Sequence, residues 1–474
     1  MNAPTQASTE LSASQQFVDW ALQLRCDALS DHVVSHARRL LLDSIGIAVA
    51  STGQDFGRRF QNLPRDAVEK GSTALGLPGR FPAERAALIN GVLAHGLDFD
   101  DTYQPGFVHI GSIVIPTVLA VAEEVGASSD DTVTAIVAGY EFSSRIGEAA
   151  PRAFHKYGWH ATPLCGAFAS ALVSGMLMGL SRDDVVTAIG IVGSFASGIQ
   201  EFLRDGTDTK RLHTGWAAQA GISAARLAQI GFGGPARILE GHYGLYATHL
   251  REDDPVDHGA IVAELGERWN VTSLSIKPYP ACHLMHAHID AARRLVAQGA
   301  KPSEIVAIRA YIHETGLHVV GEPADAKKRP RTPYGAQFSL PYGVAIGFAD
   351  ADRTVDLTSF SQERLEDPEL LRLAGITECL LDEESQVPRY LDGAVEVDLA
   401  DGRTLHERET INRGSPERPL EDAELEEKFV ANVRIAGVPE EASREAATEI
   451  FKGTEFVGTV SRLNDLVVAT TSQS

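Results

Sequence analysis

From Ser12 to Trp269 the apolar residues of this chain recur at spacings of three and four, and no stretch of strict alternation interrupts them. That period fits one face of an α-helix and leaves no half-buried strand in the region. Phe17-Val18-Asp19-Trp20-Ala21-Leu22 opens an amphipathic segment, and Val33 to Ala50 continues the pattern. Pro116 to Val125 reads as a buried helix with proline in its first turn, and Val133 to Ile146 and Leu164 to Leu180 read as two more. Ser181-Arg182-Asp183-Asp184 supplies an N-cap for the helix that follows.

The pattern changes near Val271. Glu304 to Glu314 alternates apolar with polar side chains and is β-branched and aromatic, so it predicts a strand. Ala394 to Leu399 and Thr404 to Arg408 flank Ala400-Asp401-Gly402-Arg403, a hairpin signal. Helical pieces, Met285 to Ala297 and Phe338 to Phe348, lie between these strands. At 474 residues the chain exceeds what one hydrophobic core organises. The expected fold is mainly α: a large all-α helical domain (1–272), a smaller α/β lid domain (273–408) and C-terminal helices (409–474) that rejoin the helical domain. The polar linker Asn412-Arg413-Gly414-Ser415-Pro416 precedes helices at Glu421 to Val430 and Ser443 to Phe451, and Ser472 to Ser474 are expected to fray.

A formal charge of −22 argues against nucleic acid and anionic membranes as partners. It also means that cations binding an anionic substrate must be concentrated locally. Cys26, Cys165, Cys282 and Cys379 are far apart and fit a reducing compartment, the first residues show no secretory pattern, and the apolar runs fall short of a membrane span. The expected location is the cytoplasm.

Chemistry concentrates in His95-Gly96-Leu97-Asp98-Phe99-Asp100-Asp101-Thr102-Tyr103, followed by His109. Three carboxylates within four residues need a cation, water or hydrogen-bond donors to hold them. Three readings compete: a Mg²⁺ site, a general acid/base group with supporting carboxylates, or a solvated helix end. His109 favours acid–base work, because hard cations rarely recruit imidazole. His160 in Gly158-Trp159-His160 and the pair Lys210 and His213 carry the plain alternatives of a packed imidazole and a solvent-facing basic pair. Lys277 in Ser275-Ile276-Lys277-Pro278-Tyr279-Pro280-Ala281-Cys282 sits where the two domains meet in sequence, a preferred place for small ligands. Cys282, His283, His286 and His288 lack a second ligand pair at common zinc spacing. No Gly-rich phosphate loop follows a strand. Together Asp98, His109, His160, Lys210, His213 and Lys277 suit proton abstraction next to a carboxylate, with cations holding a small polycarboxylate.

The chain resembles the MmgE/PrpD family, which includes 2-methylcitrate dehydratase, cis-aconitate decarboxylase and iminodisuccinate epimerase. The resemblance rests on Leu42-Asp43-Ser44-Ile45-Gly46, Ala94 to Thr102, Gly158-Trp159-His160, Thr209-Lys210 with His213 to Gly215, Lys277 to Cys282, and Phe338-Ser339-Leu340-Pro341-Tyr342. It implies a helical domain with an α/β lid, a homodimer, and a site at the domain junction that uses no metal and no cofactor. It also implies that Asp98, Thr102, His109, His160, Lys210 and Lys277 match active-site positions. The chain departs from the family at His109-Ile110-Gly111, where His-Pro or His-Ser is common, at Tyr103, and in His318 to Arg331. The leading expectation is a dehydratase of a small hydroxy polycarboxylate. His160 or Asp98 takes the proton α to a carboxylate, and the other, or His109, protonates the leaving hydroxyl. Lys210, Lys277 and His213 pair with carboxylates, and Thr102 donates a hydrogen bond. An epimerase or a decarboxylase is the alternative within enzymes, and a non-catalytic carboxylate-binding homologue the alternative outside them.

Overall fold

The computed structural model describes residues 10–60, 62, 67–205, 207–387 and 389–471, so the fraying expected for Ser472 to Ser474 lies outside the described residues. The chain is mainly helical, with one small mixed sheet in its C-terminal region. The described residues fall into two compact units. The first takes the chain up to Gly96, then Asp100–Leu274, and resumes at Asn432; the second takes Leu97–Phe99 and Ser275–Ala431.

The first unit is helical, as the three- and four-residue spacing predicts. Its centre is helix Thr209–Gln229, which packs on helices Ala161–Leu177, Ala83–His95 and Arg182–Val192. Small residues make that possible. A Cβ placed on Gly91 would lie 2.8 Å from the Cα of Gly215, so the two helix backbones nearly touch. Thr214 Oγ1 donates to the Gly91 carbonyl at 2.8 Å across the same crossing. Ser181 caps its helix as expected, accepting from the Asp184 amide at 3.2 Å. One expectation is corrected. Pro116 lies inside helix Gly111–Val125, not in its first turn, because the helix begins five residues earlier. The ring leaves residue 116 without an amide donor in the middle of a buried helix.

In the second unit, β1 (Ile305–Ile312), β2 (Thr377–Leu381), β3 (Gly393–Leu399) and β4 (Thr404–Glu409) form a sheet of order β2-β1-β3-β4. β1 and β2 run parallel, whereas β1–β3 and β3–β4 are antiparallel. The β3–β4 hairpin turns through Gly402 at φ 88°, a conformation glycine adopts without strain. Helix His286–Ala297 covers β3 and β4 and packs against helix Leu340–Ala349. Helix Asp422–Ile435 begins within this unit, where Leu425 and Phe429 are buried, and the chain resumes in the first unit at Asn432. That return comes after position 409, where the polar linker had suggested it.

Candidate active site

Asp100 and Asp101 are both 1% exposed, which excludes a solvated helix end. Each is buried with its own donors. His95 closes helix Ala83–His95, and its Nδ1 lies 2.7 Å from Asp100 Oδ2 with both side chains fully buried. The carboxylate therefore accepts a hydrogen bond from Nδ1–H, and Nε2 is the ring nitrogen that faces away from it. Among the described residues His95 Nε2 is buried and has no hydrogen-bond partner. Asp101 accepts from the Gly111 amide at 3.1 Å and from the Tyr140 hydroxyl at 2.6 Å. Burial is the main cause that pushes its carboxyl up to about 7, with the charges of Asp100 and Asp43 adding to it.

His109 is held on its Nδ1 side, 2.8 Å from the Asp101 carbonyl, with Thr102 Oγ1 at 3.3 Å and Asp100 Oδ1 at 4.0 Å. A carbonyl accepts only, so Nδ1 carries the proton and Nε2 is the basic nitrogen. Thr162 Oγ1 accepts the His109 amide at 3.1 Å and fixes the backbone beneath the ring. His160 stands at the N-cap of helix Ala161–Leu177, its amide donating to the Gly198 carbonyl at 3.0 Å. Its Nδ1 is 3.1 Å from Nδ1 of His213, and one of the two must donate. Phe202 meets both rings edge-on at 5.8 Å. Burial holds the His160 imidazole well below its ordinary range, and the charges of His95 and Lys210 reinforce this. His213 is pushed down to about 4 for the same leading reason.

Lys210 and His213 lie one turn apart at the start of helix Thr209–Gln229 and are only 7% and 9% exposed. They are not a solvent-facing basic pair. The first unit thus gathers His95, Asp100, Thr102, His109, His160 and His213 through direct contacts, with Lys210 acting on His160 and His213 through its charge.

Asp98 belongs to the second unit together with Lys277. Lys277 is 1% exposed and its Nζ donates to the Asp98 carbonyl at 2.7 Å and to Asp98 Oδ2 at 3.2 Å. Asp98 adopts φ 51°, a left-handed conformation that aspartate tolerates better than most side chains. Three successive carbonyls are each taken by a side-chain donor: Leu97 by Gln337 at 3.2 Å, Asp98 by Lys277, and Phe99 by Lys428 at 3.3 Å. Lys428 also donates to the Lys277 carbonyl at 2.8 Å and lies 3.7 Å above the Phe99 ring. The segment is fastened residue by residue.

The histidines after Cys282 serve packing. Nε2 of His286 meets the Ala281 carbonyl at 3.0 Å, Nε2 of His288 the Tyr311 carbonyl at 2.8 Å, and Nε2 of His283 the Asn412 amide at 2.9 Å. Burial pushes His286 down to about 3 and His288 to about 4. Among the described residues no group of three or more His, Cys, Asp or Glu side chains is arranged to hold a metal ion. Lys327 spends its ammonium on the Val319 and Phe338 carbonyls at 2.8 and 2.7 Å. Tyr103 likewise turns inward, its hydroxyl 3.2 Å from Glu148.

Sequence reasoning left His95, Tyr140 and Phe202 out of the site. His95 stood in the carboxylate-rich string itself and was legible there, whereas Tyr140 and Phe202 carried no signal beyond helical apolar spacing.

Two family models match the chain in order, the MmgE/PrpD N-terminal domain over residues 15–257 and the MmgE/PrpD C-terminal domain over 279–451. The cis-aconitate decarboxylase of Homo sapiens is 28% identical over 440 residues, covering 89% of this chain and 88% of that relative. The cis-aconitate decarboxylase of Aspergillus terreus is 26% identical over 434 residues, covering 87% and 86%. A third relative, the mitochondrial 2-methylcitrate dehydratase of Yarrowia lipolytica, is 25% identical over 434 residues, covering 83% and 78%. Among the described residues no helix is long and apolar enough to cross a membrane.

Proposed function

The chain belongs to the MmgE/PrpD family, and from that premise we propose that it is a lyase that decarboxylates a small unsaturated polycarboxylate resembling cis-aconitate. The observation that carries this reading is the likeness to named cis-aconitate decarboxylases across both matched regions of the chain. Dehydration of a hydroxy acid, which the sequence reading puts first, becomes the second reading and is supported by the 2-methylcitrate dehydratase.

The roles follow from residue chemistry. Lys210, Lys277 and His213 bind substrate carboxylates, and Thr102 donates a hydrogen bond. Asp98 holds the Lys277 ammonium by its carbonyl and its carboxylate. His109 and His160 supply acid–base catalysis, with Asp98 as a further base in the dehydration reading. When CO₂ leaves, the electron pair of the broken C–C bond remains on carbon and must be stabilised by cations, then protonated. An imidazole kept neutral by burial is a poor donor until a substrate carboxylate arrives beside it. The added negative charge favours the imidazolium, so substrate binding loads the acid with its proton.

The test offers the protein a set of tricarboxylates and hydroxy acids and measures CO₂ release together with ultraviolet absorbance from a new conjugated double bond. CO₂ without water loss supports decarboxylation, and new absorbance from a hydroxy acid supports dehydration. Deuterium entering recovered substrate with neither product indicates an epimerase. Binding without any turnover marks a carboxylate-binding homologue. His160→Ala and Lys277→Ala are expected to lower turnover at least a hundredfold, and full activity in both would sink the assignment. The protein is further proposed to act as a homodimer, which light scattering on the purified chain decides; the exposed Leu212 and Trp216, one turn apart on helix Thr209–Gln229, support it.

A further inference from the structure

The acid–base reading above leaves one imidazole unused. His95 is 1% exposed, its Nδ1 is committed to Asp100 at 2.7 Å, and its Nε2 is buried without a hydrogen-bond partner among the described residues. A buried polar atom left unmatched is costly, and a polar group of a bound substrate can match it. The ring stands between the two histidines already given acid–base roles: it stacks on His160 at 5.7 Å and 28°, and lies 5.3 Å from His109. Its Nδ1 is backed directly by the Asp100 carboxylate at hydrogen-bond distance, whereas the same carboxylate stands 4.0 Å from Nδ1 of His109. That carboxylate compensates the charge the ring acquires when Nε2 takes a proton.

We propose that His95 is a further catalytic acid–base residue of the lyase reaction, acting through Nε2, and that Asp100 is its positioning residue. In decarboxylation the His95 imidazolium gives its Nε2 proton to the carbon that has lost CO₂. The electron pair of the former C–C bond becomes the new C–H bond, the imidazole returns to neutral, and water resupplies the proton. Only one ring of the cluster is positively charged at a time. A charged His95 disfavours charge on His160 and His213, and that mutual exclusion directs the proton to the ring that Asp100 backs. The inference rests on the lyase reading, and the experiments separate the two.

His95→Asn keeps an N–H donor where Nδ1 faces Asp100 but removes Nε2, while His95→Gln does the converse. His95→Asn is expected to fold with an unchanged melting temperature, to keep KM within threefold, and to lose at least a hundredfold in kcat; added imidazole is expected to restore part of the loss in His95→Gly. Turnover of His95→Asn within threefold of the parent would overturn the proposal and leave His95 a structural anchor for Asp100. A measurement independent of activity is ¹⁵N NMR of the parent protein. The proposal requires His95 Nε2 to be unprotonated in the free protein and to gain a proton when a tricarboxylate is added. A permanently protonated Nε2 overturns it. If the parent turns over no carboxylate at all, the lyase reading fails, and with it the catalytic role of His95.

Discussion

Gly111 shows how a single position makes room for the buried carboxylates. A Cβ added there would run into Asp101 Oδ2 and would come within 2.6 Å of the Tyr140 hydroxyl and 2.7 Å of Ser44 Oγ. Its amide meanwhile donates to Asp101 Oδ1 at 3.1 Å. Gly111 is thus the position that lets Asp101 sit against Tyr140. Gly111→Ala is therefore expected to lose about 1–3 kcal/mol of stability, from overpacking a group that has no room to move. Gly126→Ala is the matched control, since a Cβ there meets nothing within 4 Å and only the left-handed φ of 69° opposes it; its cost should be about 1 kcal/mol. Denaturant midpoints of the two variants decide the matter, and equal losses would refute the steric account. At this scale the sequence revealed which residue types mattered but not how they pair. His95 and Asp100 are five positions apart, a spacing that helical periodicity does not bring together, and the pairing requires the chain to leave its helix and turn through left-handed Asp98. The burial of Lys210 and His213 was equally hidden, because a basic pair one helical turn apart looks the same on an inner face as on an outer one.

Helices and strands were legible wherever one face is buried over several turns or residues. Helix Phe456–Thr471 buries Phe456, Val460, Leu463 and Val467 at spacings of four, three and four, so its signal was present and passed over. β1 and the β3–β4 hairpin alternate between buried and less buried residues and could be read directly. β2 could not. It has five residues, pairs on one side only, and shows no alternation of burial, so nothing in Thr377–Leu381 distinguishes it from a loop. What the sequence could not convey is how closely elements approach. The crossing of helices Ala83–His95 and Thr209–Gln229 depends on two glycines facing each other, because a Cβ on Gly215 would overlap the Leu88 carbonyl and lie 2.8 Å from Val92. Gly91→Ala and Gly215→Ala are each expected to destabilise the protein by about 1–3 kcal/mol. They should also lower activity by more than that instability explains, since one helix ends at His95 and the other begins with Lys210 and His213. The check is kcat measured well below each variant's melting temperature; unchanged kcat in a destabilised variant would mean the crossing supports the fold alone.

For the whole molecule the decisive quantity is the number of imidazoles buried in neutral form. Burial is the leading cause that pushes His36, His155, His213 and His288 down to about 4 and His286 to about 3, and it holds His160 well below its ordinary 6.5. These groups lie in both compact units. In each case the folded state binds its proton later than the unfolded chain does. The stability this represents is whole above pH 6.5 and is lost as the pH falls toward 4, at about 1.4 kcal/mol per pH unit for each ring. Asp101 acts in the opposite direction. Its carboxyl is raised from 3.8 to about 7, so the stability it lends is present at low pH and disappears as the pH rises through that window. Burial also raises Glu141 and Asp290. Six imidazoles outweigh these carboxylates, and the melting temperature is expected to fall steadily from pH 6.5 to pH 4.5. His288→Gln isolates one share of the effect: the amide can still donate to the Tyr311 carbonyl, as Nε2 does at 2.8 Å, but it cannot titrate. Its melting curve should therefore show a shallower acid slope than the parent while matching it near pH 8. A melting temperature that stays level or climbs over the acid range would mean that the buried carboxylates, and not the histidines, govern how this chain responds to protons.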